Sequence, residues 1–178
     1  DIFANEIRKI NKNVIVFPNA INPKEPQFNQ PTPPSEKIRV GWLGGSSHLH
    51  DLALMDGFVQ KNSMINDKLQ YVICGFDIRG TVTEVNPQTG EQKQRNIFNR
   101  MKSQLKVIEA GFYKKALIAS EIGPYTIDLV HCLKNGEFND NGNAILIPEN
   151  RNHSDWSKSI KKLVDNPEMI TELGERLY

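Results

Sequence analysis

From Ile38 onward, short apolar runs alternate with stretches of helical spacing, and this alternation most narrows the folds open to the chain. Runs at 38–43, 69–74, 116–119 and 144–147 are the length of buried strands. Between and after them lie helical patterns at 49–59, 104–112, 124–133, 154–164 and 167–177. In the first of these Leu52, Met55, Phe58 and Val59 fall on one side. Strand followed by helix followed by strand means βαβ units, hence an α/β fold with a parallel sheet covered on both faces. Ligands in such sheets sit at the C-terminal strand ends, against helix N-termini. The loops expected there are 44–51, 99–106 and 120–125.

Before the alternation begins, residues 2–10 have amphipathic helical spacing and 13–17 read as a short apolar strand stopped by Pro18. Residues 23–34 form a proline-rich connector without apolar period. Residues 76–95 are polar, with alternation at 81–85 and turn chemistry at 86–90, and read as a hairpin excursion. A length of 178 residues suits one domain with a sizeable core. A net charge of +1 argues against nucleic-acid binding driven by bulk electrostatics. Cys74 and Cys132 lie in apolar surroundings, so both are expected reduced, mostly buried and unbonded to each other, as in a reducing compartment. No apolar run approaches the roughly 20 residues of a membrane span. His48, His50, His131 and His153 do not form a ligand set.

The richest stretch is Lys102-Ser103-Gln104-Leu105-Lys106-Val107-Ile108-Glu109. Ser103 is a good N-cap, and no breaker follows until Gly111. Lys102, Lys106 and Glu109 share a helix face, and Leu105 and Ile108 are expected to pack inward on another. A helix N-terminus with two lysines attracts a diphosphate, and a carboxylate further along can accept from ribose hydroxyls. By spacing alone a solvated charged face explains the trio, and more often does. Gly44, Gly45 and Ser46 follow a strand but match neither G-x-G-x-x-G nor a P-loop. They suit a tight turn, or a close backbone approach to phosphate or sugar. His48 could donate to a diphosphate, whereas Asp51 more simply balances a helix dipole. Glu121, Asp128 and Glu137 are isolated carboxylates with no partner spacing for two-carboxylate chemistry. Trp156 reads as a core residue on a helix face.

Taken in order, six segments resemble the C-terminal domain of GT-B glycosyltransferases of the group-1 family. Val16-Phe17-Pro18-Asn19-Ala20-Ile21 is similar to the linker entering that domain, and Val40-Gly41-Trp42-Leu43-Gly44-Gly45 to its first strand and glycine loop. Lys102-Ser103-x-x-Lys106-x-x-Glu109 resembles its donor-site helix, and Ala116-Leu117-Ile118-Ala119-Ser120 the strand after it. Residues 141–147 and the helix before Asp165-Asn166-Pro167-Glu168 resemble the closing segments. The resemblance implies residues 1–22 as the end of an N-terminal domain and linker, and 23–178 as a Rossmann-like nucleotide-sugar-binding domain. It implies Glu109 on the ribose hydroxyls and Lys106, with the helix N-terminus, on the departing diphosphate. Gly44, Gly45, Ser46, His48, Lys102 and Ser103 would complete the donor site. It further implies transfer with retention, no metal or other cofactor, and a glycan or lipid-linked acceptor held by the N-terminal domain. No nucleic acid is expected as a partner. The expected place is the cytoplasm, with peripheral association of the longer protein at the inner membrane face.

The chain departs from the family pattern in several places. Met101 stands where a second glutamate is common, and the usual Arg and Lys near the first glycine loop are absent. Lys114-Lys115 replaces a G-[KI]-P segment. The family also needs more helix and strand between Gly75 and Glu109 than this interval offers, so a missing segment is expected between Gln92 and Asn99. Two other classes fit less well. One is a non-catalytic Rossmann-like binding or interaction module. The other is a nicotinamide-dinucleotide dehydrogenase domain, disfavoured by the missing G-x-G-x-x-G.

Overall fold

The computed structural model describes residues 2–44, 57–75, 104–134, 137–149 and 153–178. They form a mixed α/β architecture divided into two compact units. The first unit comprises Thr32–Gln94 and Arg151–Asn166; the second comprises Asp1–Pro31, Arg95–Asn150 and Pro167–Tyr178. Ser46, His48, Lys102 and Ser103, the 76–95 excursion and the 92–99 interval all lie outside the described residues, as does Gly45.

In the first unit, β1 (Ile38–Leu43) pairs in parallel with β2 (Leu69–Cys74), from Ile38 against Leu69 to Leu43 against Cys74. Ile38, Val40 and Trp42 are half-buried while Arg39, Gly41 and Leu43 are exposed, the period-two alternation of a strand. Arg39 ties the connector to the sheet: its guanidinium donates to Gln70 Oε1 at 2.9 Å and to the carbonyls of Pro33 and Pro34. A 3-10 turn at Ser63–Lys68 feeds β2 and buries Ile65. Above it, the short α2 (Phe58–Lys61) and α4 (His153–Asp165) pack together, and α4 buries Ser157, Ile160, Leu163 and Val164. Asn62, almost fully buried, donates from Nδ2 to Ser157 Oγ at 3.4 Å.

In the second unit, α3 (Leu105–Phe112) leads to β3 (Ile118–Ser120), which pairs in parallel with β6 (Ile145–Ile147). The hairpin of β4 (Leu133–Lys134) and β5 (Glu137–Phe138) is antiparallel. The closing α5 (Pro167–Leu177) lies against α3, and α1 (Ile2–Arg8) opens the chain. Val107, Ala119, Leu129, Ala144 and Leu146 form one core cluster, with Leu117, Tyr125 and Leu177 packed on it. Helix α3 ends in a Schellman arrangement. Lys115 N–H donates to Ala110 O at 2.9 Å and Lys114 N–H to Gly111 O at 2.8 Å. Lys114 itself takes φ +51°, a left-handed conformation that normally favours glycine. Lys114→Gly is therefore expected to raise the thermal midpoint by a few degrees, read by circular dichroism; a fall would mean the side chain's own contacts outweigh the strain.

The structure corrects several expectations. Residues 13–17 form no strand among the described residues, and Ile15 and Phe17 are over three-quarters exposed. Strand propensity is realised only against a neighbouring strand, and here an Asn11 side chain instead accepts from Asn13 N–H. The helix expected at 124–133 shrinks to a 3-10 turn at Tyr125–Ile127. The amides it would need are taken elsewhere: Val130 N–H donates to Asn143 Oδ1 and Cys132 N–H to Ala144 O, both at 2.8 Å. Three β-branched residues (Thr126, Ile127, Val130) give that helix little to compete with. Cys132 is fully buried as expected, but Cys74 is exposed at the end of β2; both are free thiols. Among the described residues the strands make two parallel pairs and one antiparallel pair.

Candidate functional site

A glycine follows each of β1 and β2, Gly44 and Gly75. Gly44 N–H extends the ladder, donating to Cys74 O at 3.1 Å. A Cβ on Gly44 would meet the Trp42 ring at 2.5 Å, and Gly75, at φ +91°, would drive a Cβ into the Gly44 carbonyl. Gly75 thus passes too close to the Gly44 backbone for a side chain, and Gly44 is hemmed by the ring of Trp42 on its own strand, at the C-terminal edge where α/β sheets meet ligands.

Helix α3 carries the other described candidates. Val107 and Gly111 are its buried residues, Lys106 is exposed and Glu109 half-buried. The expected inward pair is thus corrected: Leu105 is exposed, and Ile108 is only half-buried. The cause is Gly111, where a Cβ would lie 2.7 Å from Leu177 O. This close approach of α5 rotates the Val107–Gly111 side inward. The expected cap is corrected too. The residue at the N-cap position is Gln104, with no side-chain cap bond; its Nε2 donates to Asp128 Oδ2 at 2.8 Å instead. Glu109 forms no ion pair among the described residues. Gly44 belongs to the first unit, and Lys106 and Glu109 to the second.

Beside α3 opens a recess of about 230 Å³, lined by Val107, Ile108, Gly111, Phe112, Asp128, Asn143, Leu177 and Tyr178. Neither Lys106 nor Glu109 lines it. Asn143 is committed there, donating to Asp128 O at 2.9 Å and accepting from Val130 N–H. Glu121, Asp128 and Glu137 are exposed, in keeping with isolated surface carboxylates. His131 has a structural task that its sequence did not signal: Nδ1 accepts from the Leu146 backbone N–H at 2.9 Å. The Gln104–Asp128 bond, which spans 24 positions, was equally invisible in the sequence.

Among the described residues no group of three or more His, Cys, Asp or Glu gathers as a metal site, and no helix is long and apolar enough to cross a membrane.

Among the described residues two ionisable groups are shifted. The hydrogen bond from Lys114 to Glu175 at 2.7 Å raises the Lys114 ammonium above its ordinary value, aided by the charges of Glu175 and Tyr178 and opposed by desolvation. Burial raises the Tyr71 phenol, whose hydroxyl donates to Asn66 Oδ1 at 3.0 Å. Both folded values lie above the unfolded ones, so both contributions are intact below about pH 10 and fade as pH rises. Denaturation midpoints are therefore expected to fall above about pH 10, and Glu175→Gln should flatten part of that alkaline limb. A limb unchanged in Glu175→Gln would remove the Lys114 contribution.

No family model, curated protein or solved structure matches this chain.

Proposed function

We propose that this chain is the donor-binding, Rossmann-like half of a retaining GT-B glycosyltransferase of the group-1 kind. In this reading the longer protein transfers a sugar from a nucleoside diphosphate sugar to a glycan or lipid-linked acceptor held by its N-terminal domain. The observation that carries the reading is the division of labour on α3. The helix spends Val107 and Gly111 on the core and leaves Lys106 exposed and Glu109 half-buried, three residues apart. Lys106 would neutralise charge that develops on the diphosphate as the glycosidic bond breaks, which lowers the barrier. Glu109 would accept from the ribose hydroxyls. One further feature supports it: Lys114 adopts a left-handed conformation at the position where the family pattern has glycine.

The test is calorimetric titration of the chain with uridine and guanosine diphosphates. One of them should bind, and Lys106→Ala should weaken it by about 1–3 kcal/mol, the usual loss of a charge-assisted bond. Flat titrations with both would remove the donor-site reading and favour a non-catalytic module with the same strand and helix pattern.

A further inference from the structure

Among the described residues, the proline-rich connector meets the end of α3 through Gln27 and Phe28. Over residues 11–31 every side chain is exposed except those of Val14, Ile21 and Phe28, which are half-buried. Around Phe28 the connector folds on itself into a small knot. The 3-10 turn Pro26–Asn29 is closed by Phe28 N–H donating to Glu25 O at 2.9 Å. Asn29 Nδ2 donates to the carbonyls of Pro23 and Glu25 at 3.2 and 3.1 Å, and Asn22 Nδ2 to Glu25 Oε1 at 3.1 Å. From this knot the Phe28 ring projects onto α3. It meets Phe112 edge-on, with centroids 5.3 Å apart and planes at 73°, and Tyr113 at 5.8 Å. The Tyr113 hydroxyl in turn donates to Gln27 O.

An eight-residue helix is marginal by itself, and its direction is set by what grips its ends. One end of α3 is gripped by the Gln104–Asp128 bond, the other by Phe28 and by the close approach of α5 at Gly111. Lys106 stands six positions, about 9 Å, along the axis from Phe112. A tilt at the aromatic end therefore moves the lysine and the glutamate.

We propose that the Pro26–Asn29 turn is a strap that fixes the axis of α3, with Phe28 as a positioning residue for Lys106 and Glu109. This rests on the donor-site reading for its ligand. It makes the connector a mechanical input: whatever displaces residues 23–30 alters how the helix meets a diphosphate.

The experiment pairs amide hydrogen exchange with diphosphate titration, on the wild-type chain and on Phe28→Ala, Phe28→Tyr, Tyr113→Phe and Lys106→Ala. Phe28→Ala removes two ring contacts. It should speed exchange over residues 105–112 about tenfold while leaving β3 and β6 protected, and weaken diphosphate binding about three- to tenfold. Phe28→Tyr keeps the ring and should restore both. Tyr113→Phe loses only the bond to Gln27 O and should fall between. Unchanged exchange over 105–112 in Phe28→Ala would overturn the strap. Faster exchange with unchanged affinity would overturn its positioning role. If Lys106→Ala weakens binding and Phe28→Ala does not, the strap fails and the donor site stands. If no diphosphate binds the wild-type chain, the donor site fails and the coupling fails with it.

Discussion

Gly174→Ala should destabilise the second unit by about 2 kcal/mol, although alanine is the better helix former. Two effects oppose each other. Gly174 lies inside α5, where replacing glycine by alanine ordinarily gains about 1 kcal/mol. A Cβ there would, however, run into the backbone carbonyl of Lys114, at the turn that ends α3. A flexible side chain could swing aside, but this carbonyl belongs to a left-handed residue locked by the Schellman bonds. Overpacking of this kind costs about 3 kcal/mol, so the clash wins. Urea denaturation with and without the substitution measures the difference. Gly41→Ala is the contrasting control: its added Cβ meets nothing within 4 Å, and inside a strand it should gain about 0.5–1 kcal/mol. Equal effects at the two glycines would mean that α5 does not approach the turn as described.

The elements that could be read from the sequence were those whose burial is dictated locally. Ile38–Leu43 and Leu69–Cys74 are apolar, β-branched and bounded by glycine or a polar turn, and both strands form over those residues. Pro167–Leu177 follows a proline at its first position, a helix-start signal that needs no tertiary information. Expectations failed where distant partners decided. The 124–133 helix lost its amides to Asn143 and Ala144, residues that no local pattern connects to it. The inward face of α3 is set by Gly111 meeting Leu177, a contact spanning 66 positions. Hydrophobic spacing alone would have favoured Leu105 and Ile108 for that side, because a glycine contributes nothing to an apolar count. Of the candidate site, the residue types on α3 were readable from the charge spacing. The grip of Phe28 and Asp128 on that helix was not, since neither position carries a motif.

The contrast between Leu173 and Phe17 tests the same distinction as a number. Both are large apolar residues, and composition treats them alike. Leu173 is wholly buried in α5, whereas Phe17 is 87% exposed. Leu173→Ala loses the transfer free energy of the removed carbons and leaves a cavity that its neighbours only partly fill. Such substitutions cost about 2–5 kcal/mol. For a chain whose whole stability is of order 5–15 kcal/mol, that is a large fraction, and partial unfolding at 37 °C is the expected result. Phe17→Ser, by contrast, exchanges a side chain that already faces water, so the folded state loses almost nothing. Its effect should stay within about 0.5 kcal/mol, the range of surface substitutions. The measurement is again the urea midpoint, with m-values checked to confirm that each variant exposes the same surface on unfolding. A Phe17→Ser variant that falls as far as Leu173→Ala would mean that residues 13–17 are covered in solution by something that packs on them. The strand expected there from sequence would then have to be reconsidered, with a partner beyond the described residues.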